Sequence, residues 1–184
     1  MKLAPIIEEL RENCPTLERR VFGLYGWFNL DDRAAPALPC AYVLPARVTA
    51  AEATTSTKYR QKIESTFTVV LCVEMTREDC LGKSGHDTLE DLKEEVFRAI
   101  LGLPLGYPEN TNTIITFGGQ AVNSAACSAA RLAENLDFSY TEIITGDIAA
   151  QGRLIESLPA LNSVRLTVPN FTPTAAELLK PSNK

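Results

Sequence analysis

From Lys58 to Met75 the chain alternates with period two. Ile63, Phe67, Val69, Leu71 and Val73 fall on one parity and Glu64, Thr66 and Thr68 on the other, with Val70 and Cys72 joining the apolar set only towards the end. Alternation of this kind, rich in β-branched residues and free of Pro and Gly, predicts a β-strand. A strand of about 16 residues would run roughly 50 Å, against a usual length of about 5–6 residues. Its second half is apolar on both faces and belongs at the centre of a sheet. Its first half is one-sided and charged, and is expected to reach beyond the core of its own domain.

The pattern on either side supplies the remaining elements. Ile6, Ile7, Leu10 and Cys14, separated by Glu8, Glu9, Arg11 and Glu12, describe a short amphipathic helix with Pro5 in its first turn and Pro15 as its stop. Val21 to Trp27 is aromatic and aliphatic, is bracketed by polar residues, and predicts a strand. Ala34 to Pro39 reads as a connector, and Cys40 to Val48 as a second strand whose Pro45 confines it to an edge or a bulge. Thr49 to Thr57 reads as a loop ahead of the long strand. Leu89, Leu92, Val96, Ala99 and Ile100 recur at helical spacing behind a cap at Ser84 or Asp87, and Gly102 ends that helix. Thr113 to Phe117 predicts a strand, Gly118-Gly119 a kink or bulge within it, and Leu136 to Thr145 a final strand. Ala125 to Ala130 suits a loop or half a helical turn.

Successive strands without helical crossovers imply an α+β fold. Its sheet is mostly antiparallel, with one long strand, two helices packed on one face and a C-terminal extension. We place the domain at residues 1–146 and the extension at 147–184, where Pro159, Pro169, Pro173 and Pro181 separate short apolar clusters. That segment is expected to reach over a neighbouring subunit or partner as an arm.

Composition narrows the function classes. A net charge of −5 argues against a protein that wraps nucleic acid by neutralising phosphates. No apolar run approaches a membrane span, and the N-terminus has no signal-peptide pattern, so no membrane partner is expected. The five cysteines are scattered without a C-x-x-C pair and read as reduced thiols.

Candidates for catalysis are sparse. The lone histidine, His86, lies six residues after Cys80, but an exposed His near a helix start explains it better than a Cys/His dyad. Asp31-Asp32 and Glu78-Asp79 lack a third acidic residue at ligand spacing. The glycine-rich stretches lack the Lys and Ser/Thr of a phosphate loop. We therefore expect no catalytic residue, metal or cofactor.

The basic residues are more informative. Lys58, Arg60 and Lys62 share one parity on the projecting half of the long strand, and Arg47 on the preceding strand stands near them if the two pair as a hairpin. Lysines on an exposed strand protect an edge against aggregation. The same charges also suit docking onto an acidic protein surface.

Several motifs, in order, resemble the phage tail terminator family. They are Leu3-Ala4-Pro5-Ile6-Ile7 with Leu10-Arg11 and Cys14-Pro15, the Pro-flanked strand Pro39 to Pro45, and Tyr59-Arg60-Gln61 leading into Glu64-Ser65-Thr66-Phe67-Thr68-Val69-Val70. The helix Leu92 to Gly102, Gly118-Gly119 and Leu136-Asp137-Phe138 follow. The resemblance spans about residues 1 to 146, and the chain departs from the pattern at Ala125 to Ala133 and from Gly146 onward.

The resemblance implies a structural virion protein of the phage tail and neck, assembled in the host cytoplasm. It would form a homohexameric ring that caps the head-proximal end of the tail tube, stops tube polymerisation and joins the tail to the head. Implied partners are the tail tube protein, a head-tail connector or stopper, and a sheath protein if the tail is contractile. DNA would pass through the lumen without specific binding. Arg47, Lys58, Tyr59, Arg60, Gln61 and Lys62 are the subunit or partner interface candidates, with the exposed edge of the long strand available for strand addition. Other readings are a different neck protein, a small enzyme using Cys80 or Cys72, or a ligand-binding α+β module.

Overall fold

The computed structural model describes residues 2–28, 36–54, 59–75, 84–104, 114–128 and 130–145. Helix α1 (Ala4–Asn13) has proline in its first turn and buries Ile6 and Leu10, and Pro15 opens a single 3-10 turn (Pro15–Leu17). Glu18 and Arg19 adopt left-handed backbone angles that turn the chain into strand β1 (Val21–Phe22).

The strand expected over Val21 to Trp27 stops after Phe22, and helix α2 (Leu24–Phe28) replaces the rest. Packing on strand β2 (Cys40–Ala50) gives the reason. The Phe22 and Trp27 rings both lie against Tyr42, with centroids 5.6 Å and 5.4 Å from it. An extended chain would hold residues five apart by about 17 Å, too far to share one ring. The turn is so tight that a Cβ on Gly26 would sit 2.8 Å from Phe22 Cβ.

β2 pairs in parallel with β1 and antiparallel with strand β3 (Arg60–Glu74), with a register shift between Pro45 and Arg47. The Ala41 N–H donates to Arg20 O, so by strand alternation Pro45 also turns its backbone away from β3. Its missing donor therefore costs no ladder bond. β2 continues two residues past Val48, and Thr54 and Arg60 exchange two backbone bonds, so much of the expected loop is a hairpin.

Among the described residues the sheet has five strands, in order β1-β2-β3-β5-β4, all neighbours antiparallel except β1 and β2. The α+β, mostly antiparallel architecture is the one expected. β3 is central, as its two-faced apolar half requires. Phe67, Val69, Leu71 and Val73 join a core with α1 and helix α3 (Ser84–Ile100), while Val70 and Cys72 join Cys40, Tyr42, Ala126 and Ala133 on the other face. The first half of β3, however, has no exposed edge. β2 pairs with it as far as Ile63, and strand β5 (Arg131–Thr145) pairs with it from Arg60 to Glu74. Strand addition onto β3 is excluded.

α3 begins at Ser84, so His86 lies exposed within its first turn, and Gly102 follows the helix with φ 78°. Buried Lys93 ties α3 to strand β4 (Thr116–Val122) by donating to Glu90 and to Gln120 Oε1, at 2.6 and 3.0 Å. The predicted glycine bulge falls between Phe117 and Gly119. β5 starts five residues earlier than expected. Ala133 fits against Cys72 there, so small residues continue the strand. Cys80, Asp31-Asp32, Glu78-Asp79, Lys58 and the extension 147–184 lie outside the described residues.

Candidate partner-docking surface

β2, β3 and β5 run on together past the last core row, Ser65 opposite Tyr140, as a three-stranded extension. Its first rows pair Ile63 with Glu142, Gln61 with Ile144 and Arg60 with Thr145. Each inner backbone group has a partner, so the extension is a rigid slab, not a lone projecting strand.

The candidate residues divide between its two faces. Arg47 lies opposite Thr66, so Arg47, Lys62 and Arg60 share the face turned away from α1 and α3. Lys62 and Thr66 are four residues apart on β3, which places Arg47 about 13 Å from Lys62 along the strand. All three cations are exposed, and no ion pair holds any of them among the described residues. Arg47 is positioned by its backbone: its N–H donates to Thr66 Oγ1 at 2.9 Å, and Thr66 Oγ1 donates to Arg47 O at 3.1 Å. This locks the bulge at Arg47.

Tyr59 and Gln61 have a different role. The Tyr59 hydroxyl donates to Gln61 Oε1 at 2.5 Å, and Gln61 Nε2 donates to Ala51 O at 3.0 Å. These bonds tie the hairpin end of β2 to β3 on the opposite face from the cations. Sequence parity separates 59 and 61 from 60 and 62, but only the register shows that the first pair is used internally.

The rest of the open face is hydroxyl-rich. Thr68 Oγ1 donates to Asp137 Oδ1 at 2.6 Å, Thr116 Oγ1 lies 3.0 Å from Ser139 Oγ, and Thr49, Glu64 and Thr141 form another row. Such a surface is polar and mixed in charge, and suits a protein partner better than a small apolar ligand.

Cys40 and Cys72 face each other across β2 and β3, both buried. The hydrogen bond between them, reinforced by burial, pushes the Cys72 thiol far up and keeps it protonated, while the same bond pushes Cys40 down. Burial, with Glu95 adding its charge, pushes Cys14 up to about 12. Among the described residues no three ligating side chains gather as a metal site, and no helix is long and apolar enough to cross a membrane.

Sequence reading also missed two apolar margins. One is the β1–β2 side, where α2 exposes aromatic side chains and, separately, Leu3, Pro45, Arg47, Val48 and Thr66 line a groove of about 410 Å³ at the β2 bulge. The other is the free edge of β4. A run of apolar residues without alternation, from Leu24 to Phe28, was the available signal for the first.

The family model described as phage tail terminator protein matches residues 1–115, which runs from α1 through α3 and stops short of β4. Among solved structures, a chain from the virion of a native gene transfer agent (GTA) particle is 14% identical, with a TM-score of 0.46. The alignment covers 74% of this chain and 90% of that one. No curated protein matches.

Proposed function

The chain belongs to the phage tail terminator family, structural proteins of the phage tail, and from that premise we propose that it closes the head-proximal end of the tail tube as a hexameric ring. The ring stops tube polymerisation and presents a surface to the head connector or stopper, and to a sheath protein where the tail contracts. Residues 1–146 form the ring-building domain, and residues 147–184 act as an arm over a neighbour.

The observation that carries this reading beyond the family match is the extension of β2, β3 and β5. The slab is held by the pairing of β3 with β2 as far as Ile63 and with β5 as far as Arg60, and among the described residues its outer rows lie beyond the helix-packed core, so its length is not accounted for by that core. Its unpaired cations Arg47, Arg60 and Lys62 suit docking onto an acidic partner surface. The net charge of −5 suits a lumen that lets DNA pass without gripping it.

The test adds purified protein to tail tubes grown without a terminator. Capped tubes of fixed length, with six copies per end by mass, support the proposal. Tubes that elongate unchanged contradict it, and binding to the head connector alone would make the chain a stopper.

A further inference from the structure

Most of the exposed large apolar side chains among the described residues fall at two opposite margins of the sheet. Tyr25 and Phe28 on α2 lie at the β1–β2 margin, with exposures of 85% and 73%, and Val48, 64% exposed, lies further along β2 on the α1 face. Ile114, Phe117 and Val122, the last 66% exposed, lie along the β4 margin. Large apolar side chains left in water at two separate places mark association surfaces.

The margins are built differently. The β1–β2 margin offers projecting aromatic side chains and the groove beside Leu3, and its backbone edge is blunted by Pro45, a bulge and Arg47. Those are devices that discourage strand pairing. β4 carries no charge and no proline. The Asn123 N–H donates to Ala133 O, so by strand alternation Gln120 and Val122 turn their backbone groups outwards, where no described strand meets them.

We infer that these two margins are complementary halves of one head-to-tail contact: the α2–β2 margin of one copy seats against the β4 margin of the next. The occupant is a second copy of this chain. A partner of another kind needs one patch, whereas repetition of a single contact around a ring needs two unlike patches on opposite sides of each subunit. This assignment rests on the ring reading and sharpens it. With the margins occupied by neighbours, Arg60 and Lys62 on the extension are left for a different protein, while Arg47 lies at the β2 margin itself.

The test uses two full-length double variants, Tyr25→Glu with Phe28→Glu and Ile114→Glu with Val122→Glu. All four side chains are exposed, and thermal melts matching wild type verify folding. Light scattering, alone and on tail tubes, is expected to find a ring for wild type and monomers for each variant. An equimolar mixture is expected to give 1:1 dimers and nothing larger, because one intact contact survives between the two variants. Variants that assemble as wild type does, or that dimerise alone, overturn the inference. If wild type still caps tubes in that case, the ring reading stands without it. If wild type forms open chains through these margins yet never caps tubes, the interface stands and the ring reading fails.

Discussion

The two halves of β3 share one strand, one parity pattern and one set of neighbours, yet they behave as different materials. Leu71 is sealed between α1, α3 and the sheet, while Ile63, eight residues earlier on the same face, is only half-buried and outside the core. The backbone ladder is equally complete around both. What separates them is what lies over the sheet: helices above Val69 to Val73, and neither helix core above Arg60 to Glu64. Hydrogen bonding ties both halves into the sheet, but apolar burial makes the second half the larger source of stability.

This contrast can be broken most severely at Leu71. Leu71→Ala is expected to cost about 2–5 kcal/mol, and Ile63→Ala about 1 kcal/mol, in chemical denaturation with an unchanged m-value. Equal losses would erase the distinction. Next comes Gly26→Ala, whose new Cβ meets Phe22 Cβ at 2.8 Å; it is expected to cost about 1–3 kcal/mol by displacing α2 from Tyr42.

A smaller effect tests the core side through pH. Cys14 titrates near 9 when unfolded and near 12 when folded, so between those values the folded state holds the extra proton. Stability is thus fully present below about pH 9 and falls as pH rises towards 12. The buried Tyr42 and Cys72 are pushed in the same direction. The alkaline slope of the melting temperature is expected to lessen, without vanishing, in Cys14→Ala. The smallest stability effect belongs to the extension. Arg60→Glu with Lys62→Glu is expected to change stability by under about 0.5 kcal/mol, since both side chains are exposed and unpaired.

Much of this organisation was legible in the residues. The alternation of β3 marked both its length and the point where its second face turns apolar. Pro45 and Gly118-Gly119 marked two bulges that the register confirms. Periodicity reports faces, however, and not edges. Nothing between Lys58 and Met75 says that β5, some 70 residues later, covers the strand's far side. For the same reason Tyr59 and Gln61 looked available until their bonds towards Ala51 placed them inside the hairpin. α2 was hidden because five residues are too few to present a helical period, leaving only a dense apolar run beside Gly23. The start of β5 was hidden because Ala133 carries no strand signal of its own and is selected by the space beside Cys72.

The central claim is that one half of β3 holds the fold and the other docks it. It is tested most directly by measuring tube capping and melting temperature together for Arg60→Glu with Lys62→Glu. The account predicts an unchanged melting temperature and tubes that continue to grow uncapped. Normal capping by this variant, or loss of capping accompanied by a collapse in melting temperature, would contradict it.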